Sequence, residues 1–375
     1  MLSYWEKSSF LEADIVIIGG GIVGLSTAIS LKEKDNKRSI ILLEKGLFPS
    51  GASTKNAGFA CIGSLSEIVS DLTTSSPDEV LELIALRYQG LKKLRQRLGD
   101  TTIGYAENGS YELFFEEQPS CINEIDNLND WLLPLLGQKA FSLSQAKPSD
   151  LGLDSQKIKL MLTNNCEGEI HTGMMMKALQ LKAQQMGISM FTQTEVSTIE
   201  DNGTNVKTYI QGSEVVFSSK KVIVCTNGFT SQFFPQLDIN PGRGLVLITK
   251  AVEGLKLKGI FHVDEGYYYF REINGRVLLG GGRNLDKATE QTTQQGINPL
   301  INERLEEMLS NVILPYHAYE IDYKWVGIMA FGKDKQPITT FNTQNVYVAA
   351  HMGGMGVAIG SAIGEKVARE VFQTI

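Results

Sequence analysis

Cysteine and histidine are scarce in this sequence, and none stands at the spacing of a metal site or a dithiol centre. The 375 residues contain four of each, at Cys61, Cys121, Cys166 and Cys225 and at His171, His262, His317 and His351. No Cys-x-x-Cys or His-x-x-x-His pair occurs among them. We therefore expect no bound metal, and reduced thiols of the kind found in the cytoplasm.

The chain also lacks an excess of positive charge. It carries 35 basic and 42 acidic side chains, which gives a formal net charge of −7 at pH 7. Sequence-independent binding of nucleic acid needs a basic surface, so we expect no nucleic-acid partner. With 42% apolar residues, a chain of this length predicts a globular protein of about two domains. Nothing in the sequence indicates a partner chain or an oligomeric state.

No hydrophobic run has the pattern of a membrane span. The most apolar stretch, residues 13–31, approaches the ~20 residues that a span needs. Its pattern instead predicts a short strand from Asp14 to Ile18, a glycine cluster and a helix that includes Leu25 to Leu31. A basic flank and a small-residue cleavage site are both missing. We therefore predict a soluble, cytoplasmic protein without a membrane span.

Glycine is abundant, with 37 residues. Gly19, Gly21 and Gly24 occupy the glycine positions of Gly-x-Gly-x-x-Gly between the predicted strand and helix. These positions permit a tight turn, a close approach to a pyrophosphate, and close helix–strand packing. A second predicted strand, Ser39–Leu43, is followed by Glu44, whose carboxylate would bind ribose hydroxyls and repel a 2′-phosphate. The unit predicts binding of an unphosphorylated adenosine dinucleotide; a packing turn without a nucleotide is the alternative.

After Glu44, residues 50–58 are small, hydroxyl-rich and bounded by glycines. They suit a backbone that runs along a long ligand, although an ordinary surface loop is the alternative. Here the sequence resembles the FAD-dependent D-amino acid oxidase, glycine oxidase and sarcosine oxidase superfamily. The resemblance covers nearly the whole chain, through blocks at 195–196, 222–228, 241–244, 325–327, Asp334, Pro337 and 350–356. Segments 267–271 and 275–281, with Ser3-Tyr4-Trp5, resemble the γ-glutamylputrescine oxidase-like branch.

The resemblance implies an α/β protein with a discontinuous Rossmann-type FAD-binding domain and a second, antiparallel-sheet α+β substrate domain. The FAD domain is expected at 1–65, 140–235 and 325–375, and the substrate domain at 66–139 and 236–324. A helix that begins near Val357 would direct its N-terminal dipole at the flavin, while Gly356, Gly360 and Gly364 also suit close helix packing. The expected FAD-binding residues are Gly19, Gly21, Ile22, Val23, Gly24, Glu44, Lys45, Gly51, Ala52, Ser53, Lys55, Asn56, Ala57, Gly58, Val196, Thr226, Asn227, Gly228, Gly327, Gly353, Gly354, Met355 and Gly356.

Several positions depart from the pattern of the family. Gly327 stands where monomeric sarcosine oxidases have a flavin-linked cysteine, and Lys55 where dimethylglycine dehydrogenase-like members have a flavin-linked histidine. Non-covalent FAD is therefore expected, with Lys55 close to the flavin. Leu278 replaces the lysine that assists the reaction with oxygen in sarcosine oxidases. Oxidase and dehydrogenase activity both stay open.

Met329 replaces the arginine that binds the substrate carboxylate in glycine-oxidase-like members. An α-amino acid would need another anchor, such as Arg271 or Arg243, or the substrate is an amine without an α-carboxylate. We expect Tyr268 and Arg271 to contact the substrate. Strand alternation places Tyr267 and Tyr269 on the opposite face from Tyr268, so either face could be the functional one.

The implied reaction is oxidation of the C–N bond of a small-molecule amine or amino acid to an imine, by hydride transfer to flavin N5. Oxidation of a 2-hydroxy acid, a tRNA-modification role and non-catalytic FAD binding are alternatives, because a fold does not fix a function. An NAD-dependent enzyme is a further alternative.

Overall fold

Two eight-stranded sheets organise the protein in a computed structural model that describes residues 1–374. The α-helices are α1 (Tyr4–Phe10), α2 (Ile22–Lys34), α3 (Ala52–Lys55), α4 (Leu65–Thr74), α5 (Pro77–Leu98), α6 (Asp100–Ile103), α7 (Ile125–Leu136), α8 (Thr172–Gln185), α9 (Pro299–Met308) and α10 (Gly356–Phe372). The strands are β1 (Glu12–Ile18), β2 (Ile40–Leu43), β3 (Phe59–Ala60), β4 (Ser110–Phe114), β5 (Phe141–Leu143), β6 (Leu160–Asn164), β7 (Gly168–Glu169), β8 (Ser189–Phe191), β9 (Val196–Asp201), β10 (Val206–Ile210), β11 (Val216–Val224), β12 (Asn240–Thr249), β13 (Ile260–Val263), β14 (Tyr268–Ile273), β15 (Arg276–Gly281), β16 (Ile321–Phe331), β17 (Ile338–Phe341) and β18 (Val346–Ala350).

The first sheet has the order β17-β18-β11-β1-β2-β8, with β9 and β10 attached beside β11. Its centre is parallel: β1 pairs with β2 and β11, β2 with β8, and β11 with β18. The last four residues of β1, Ile15–Ile18, are all buried. Such an apolar run is typical of a parallel strand covered on both faces. This sheet is the Rossmann-type unit expected from the sequence.

Helices α2 and α10 pack closely beside this sheet. A Cβ placed on Gly364 would lie 2.6 Å from Cβ of Ser26, so a larger residue would push the helices apart. Gly360 similarly faces Ile22 at the start of α2. Gly360 and Gly364 therefore permit close helix packing, which is one of the two roles predicted for the glycines of α10.

The second sheet has the order β16-β12-β15-β14-β13-β4-β6-β5. It is antiparallel except for the parallel pair of β13 with β4. One face packs under α9, where Leu305 and Phe270 are fully buried. The other face turns toward the first unit, and Val246 and Leu278 pack there against Ala57.

Strand pairing divides the chain differently from the boundaries expected from the sequence. Strands β5 and β6, within 141–164, join the second sheet, although residues from 140 onward were expected in the FAD domain. All of β16, including 325–331, also pairs in the second sheet. Helix α5 packs on α10 in the core of the first unit. Local patterns do not encode these long-range pairings.

Within residues 1–374, no helix combines the length and the apolar character that crossing a bilayer would require.

Candidate active site

A cavity of about 460 Å³ lies between the carboxyl ends of β1, β2 and β11 and one face of the second sheet. All but three of the residues expected to bind FAD line it. The exceptions are Gly24, Gly58 and Gly228, where a Cβ would overlap the carbonyl oxygens of Gly19, Ile170 and Met329 respectively. These three glycines therefore permit close backbone packing behind the cavity wall.

The glycine turn at the end of β1 leads directly into α2. Gly19 has a φ of +106°, a conformation that side chains with a Cβ rarely adopt. A Cβ on Gly21 would lie 2.8 Å from Oγ of Ser53. Gly21 is the N-cap of α2 and provides no side-chain cap. Ile22 N donates to Oγ of Ser53 at 3.0 Å, and the remaining N–H groups of the first turn and the helix dipole are available to an anion such as a pyrophosphate.

Glu44 lies at the carboxyl end of β2 and is only 7% exposed. Its Oε2 accepts a hydrogen bond from Gly20 N at 2.9 Å, and its Oε1 accepts one from Gly46 N at 2.9 Å. A carboxylate has about four acceptor positions, so Glu44 can still accept from the hydroxyls of a ribose. Its charge disfavours a phosphorylated ribose, in agreement with the sequence-based expectation.

The segment after β2 forms α3 and the next part of the wall. The side chain of Asn56 donates to the carbonyls of Ala52 and Ser53, at 3.2 and 2.9 Å, and accepts from Gly58 N at 2.9 Å. Trp325 Nε1 donates to the carbonyl of Lys55 at 3.0 Å. These bonds fix the backbone of the segment and leave the Lys55 side chain to line the cavity.

Gly327 lies directly against Lys55. A Cβ at Gly327 would be 3.3 Å from Cβ of Lys55, which is tight packing. Neither residue carries the thiol or imidazole that forms a flavin link in the sequence-based comparison. The local chemistry therefore suits a cofactor that is held without a covalent bond.

The N-terminus of α10 lies at the same cavity. Gly353, Gly354 and Met355 line it, and a Cβ on either glycine would meet no atom within 4 Å. Asn227 Oδ1 accepts from Met352 N at 3.2 Å and thereby fixes this loop to the end of β11. The N-cap of α10 makes no side-chain cap. A ligand can therefore approach the backbone and the positive end of a 17-residue helix here.

These features together fit an FAD molecule. The glycine turn and Glu44 suit the pyrophosphate and ribose, and Val196 lines the cavity where the family is expected to contact adenine. The α3 segment, Gly327 and the start of α10 suit the flavin end. That these particular residues bind FAD stays a prediction.

The second-sheet wall of the cavity is aromatic. Phe59 lies edge-on to His262 and Tyr269, with ring centroids 5.3 and 5.6 Å away. Burial raises the pKa of Tyr269 to about 12, so its phenol stays neutral at physiological pH. Tyr267 also lines the cavity. These rings give one side of the cavity an aromatic surface.

Tyr268 and Arg271, expected to contact the substrate, do not line the cavity. Tyr268 is buried with the core under α9, on the opposite face of β14 from Tyr269. The guanidinium of Arg271 lies 3.1 Å from Glu169 and donates to the carbonyls of Gly58 and Ile170 at 3.0 Å each. Arg271 thus ties together the segments around β3 and β7, and the face that carries Tyr267 and Tyr269 is the one at the cavity.

Arg243, the other candidate anchor for a carboxylate, is also satisfied within the protein. It binds Glu290 in a bidentate pair, with both N–O distances 2.8 Å, and donates to the carbonyl of Gln294 at 3.2 Å. The hydrogen bonds that Arg243 donates to Glu290 raise the pKa of Arg243 against the effect of burial. Its guanidinium is therefore committed to a structural ion pair.

A buried ionic group lies next to the aromatic wall. Glu167 accepts from Ile62 N and Gly63 N, at 2.7 and 2.9 Å, and its second oxygen lies 3.2 Å from His262 Nε2. Burial lowers the pKa of His262, but the hydrogen bond and charge of Glu167 outweigh it and raise the pKa overall. His262 therefore holds a proton over a wider pH range than free histidine.

Cys61, Glu167 and His262 have ligand atoms within 4.8 Å of one another. Burial and then the charge of Glu167 raise the pKa of the Cys61 thiol well above its usual range, so the thiol is neutral. The Glu167 oxygens already accept hydrogen bonds. The expected absence of a metal stays a prediction.

Sequence reasoning missed Phe59, His262, Arg283 and the pair Glu67–Arg87, all of which line the cavity. Phe59 directly follows the 50–58 segment, so extending that segment by one residue would have included it. The other residues come from α4, α5, β13 and the turn after β15, and no motif marks them.

Residues 14–370 match the family described as FAD-dependent oxidoreductase. The chain is 22% identical to the glycine oxidase of Bacillus licheniformis over 371 residues, which cover 95% of this chain and 92% of that protein. It is 21% identical to the gamma-glutamylputrescine oxidoreductase of Escherichia coli strain K12 over 372 residues, covering 96% and 83%. These matches confirm the resemblance seen in the sequence.

Solved structures show the same fold. L-proline dehydrogenase from P. horikoshii has a TM-score of 0.77 at 17% identity, with 96% of this chain and 94% of that chain covered. Glycine oxidase from Geobacillus kaustophilus has a TM-score of 0.76 at 19% identity, with 96% and 95% covered.

Proposed function

The chain belongs to the family of FAD-dependent oxidoreductases, and on that premise we propose that it oxidises the C–N bond of a small amine or amino acid to an imine. The cofactor is FAD, and the cavity residues described above hold it without a covalent link. Relatives that are named for oxidation of glycine and of gamma-glutamylputrescine support this class of substrate.

The observation that carries the proposal is that one cavity joins the dinucleotide cradle to an aromatic wall. Gly353, Gly354 and Gly327 lie on the cofactor side, and Phe59, Tyr267 and Tyr269 on the wall. A small substrate held against this wall would lie beside the flavin end of the cradle. FAD supplies the two-electron acceptor for this oxidation.

The oxidation uses the neutral form of the amine, because an ammonium nitrogen has no lone pair to stabilise the developing imine. Lys55 and Arg283 at the cavity disfavour an ammonium ion, whereas Glu265 and Asp334, which also line it, favour one. We therefore propose that the amine loses its proton as it enters the cavity, and no acid–base triad is required.

Leu278 is relevant to how fast the reduced enzyme reacts with oxygen. It is 6% exposed and packs with Val246 and Ile248, so the position expected to carry an oxygen-activating lysine is apolar. We propose that the reduced enzyme reacts slowly with oxygen and passes its electrons to another acceptor.

Anaerobic addition of a panel of amines and amino acids to the purified holoenzyme tests the proposal. We expect one class of amine to bleach the visible flavin absorbance, and acid precipitation to release FAD. A holoenzyme that is reduced by 2-hydroxy acids and by no amine would contradict the proposal, as would one that no substrate of either class reduces.

A further inference from the structure

Arg283 differs from the other buried or half-buried arginines near the second sheet. Arg243 is saturated by Glu290, and Arg271 by Glu169 and two backbone carbonyls. Arg283 lines the cavity, and no carboxylate among residues 1–374 lies within ion-pair distance of its guanidinium. Burial lowers the pKa of Arg283 despite the opposing charge of more distant groups, yet the side chain stays charged at physiological pH. A partly desolvated charge without a partner is costly, and a bound anion would remove that cost.

The position of Arg283 is fixed by packing. Its guanidinium carbon lies 3.8 Å from the centroid of the Phe331 ring. A Cβ on Gly242 would lie 2.3 and 2.4 Å from two carbons of the Phe331 ring, so the glycine leaves the room that this ring needs, and Cδ of Arg283 packs 3.6 Å from the same position. Stacking on an aromatic ring holds a guanidinium in one orientation while its N–H groups remain free to donate.

This place is next to the position of the missing family arginine. Gly242 on β12 is directly opposite Met329 on β16, and the alternation of β16 puts Phe331 on the same face as Met329 and Gly327. Arg283 lies in the turn after β15, and its side chain extends past Gly242. It therefore reaches the part of the cavity wall where an arginine at position 329 would lie.

A second donor lies at the same wall. Lys287 Nζ donates to Tyr267 Oη at 3.2 Å, and Tyr267 lines the cavity. Because the Tyr267 oxygen accepts from Lys287, its own hydroxyl proton is free to be donated to a ligand. A planar fork and a hydroxyl donor suit a carboxylate.

We infer that Arg283 binds a carboxylate of the substrate, and that the enzyme therefore acts on amines that carry a carboxylate rather than on simple alkylamines. That the ligand is an amine substrate rests on the proposed function. That Arg283 binds a carboxylate does not depend on it. Arg283 is a specificity-determining residue that takes over, from another element of the fold, the task left by Met329.

The first test measures anion binding without turnover. Propionate and its neutral analogue propionamide are titrated into the FAD-loaded protein, and the change in the visible flavin spectrum is followed. We expect the wild type to prefer propionate, and Arg283→Met to weaken propionate binding by about 10- to 100-fold, the loss of a charge-assisted bidentate contact. Arg283→Lys, which keeps the charge without the fork, should fall between the two.

Arg304→Met is the matched control. Arg304 is a half-exposed arginine on α9 that pairs with Glu307 outside the cavity. The Arg304→Met variant should bind propionate as tightly as the wild type does. FAD content and thermal midpoint, measured for every variant, separate lost binding from lost folding, and methionine keeps an unbranched stem over Phe331.

Equal propionate binding by wild type and Arg283→Met would overturn the inference. So would a wild type that binds propionate no better than propionamide, or whose spectrum neither ligand changes. A second assay compares kcat/KM for an amino acid and its decarboxylated amine, and only the former should fall in Arg283→Met. If no amine reduces the flavin but propionate binding depends on Arg283, the proposed function fails and the carboxylate site stands. If simple amines are the better substrates and Arg283→Met has no effect, the carboxylate site fails and the proposed function stands.

Discussion

Replacing Arg87 with methionine removes one cation from a buried ionic group at the cavity. Arg87 on α5 is 2% exposed, and its NH2 group lies 3.1 Å from Oε1 of Glu67. Lys335 Nζ lies 2.9 Å from the same oxygen. The variant leaves the buried Glu67 carboxylate with one cation in place of two, and it also removes the donor to the carbonyl of Ile62 at 2.8 Å.

The expected cost follows from the pKa of Glu67. Burial raises this pKa, but Arg87 and Lys335 outweigh burial and lower it from 4.5 to about 2. A shift of this size corresponds to about 3 kcal/mol at about 1.4 kcal/mol per pH unit. Breaking a buried ion pair so that one charge has no partner typically costs about 3–5 kcal/mol. Because Lys335 still lies beside Glu67, we expect Arg87→Met to lower the free energy of unfolding at pH 7 by somewhat less, about 2–3 kcal/mol.

The pH dependence has a definite sign. Because the folded-state pKa of Glu67 is lowered, its stabilising effect is complete above about pH 4.5 and is lost as the pH falls toward 2. In the variant, protonation relieves the stranded carboxylate at a higher pH. The difference in stability between wild type and Arg87→Met should therefore shrink as the medium is acidified.

Urea unfolding of the FAD-saturated protein at pH 7 and at pH 4 measures these differences. Arg304→Met, which loses a surface pair, should cost less than about 1 kcal/mol. Adding Glu67→Gln to Arg87→Met removes the stranded charge and should recover part of the loss. A cost below about 1 kcal/mol for Arg87→Met, or a double variant less stable than the single one, would show that Arg87 does not stabilise the buried Glu67 carboxylate.

Three further predictions concern the cradle and the wall. Gly24→Ala should abolish FAD retention, measured as the ratio of visible to ultraviolet absorbance, because the new Cβ overlaps the carbonyl oxygen of Gly19; retention equal to wild type would show that the turn adapts. Reduced wild type should regain its colour slowly in air, and Leu278→Lys should do so faster in stopped-flow measurements; equal rates would remove Leu278 from the account. Tyr268→Phe should change kcat/KM by less than about 3-fold because Tyr268 faces the core, whereas Tyr267→Phe should raise KM; the opposite ranking would place the substrate on the other face of β14.

The stretch of the cavity wall between Gly19 and Ala57 could be predicted from the sequence because its residues lie in short contiguous segments. The turn at Gly19–Gly24, the acid at Glu44 and the segment 51–58 each lie within one strand–turn–helix unit, where local spacing determines geometry. The helix predicted to begin near Val357 agrees with α10, since glycine positions mark its start.

The substrate wall could not be predicted in the same way, because it is assembled by long-range pairing. Tyr268 and Tyr269 are equivalent in an alternating strand until α9 covers one face. Arg271 and Arg243 look like free cations in the sequence, and only the fold brings Glu169 and Glu290 to them. Arg283 gains its place from Gly242 and Phe331 on two other strands.

Anaerobic reduction of the purified holoenzyme by amines tests whether the bound FAD oxidises amines. We expect a yellow protein whose flavin is bleached by carboxylate-bearing amines, and which releases intact FAD on acid precipitation. A colourless protein that takes up no added FAD would contradict the cofactor assignment, and a yellow protein that no amine bleaches would contradict amine oxidation.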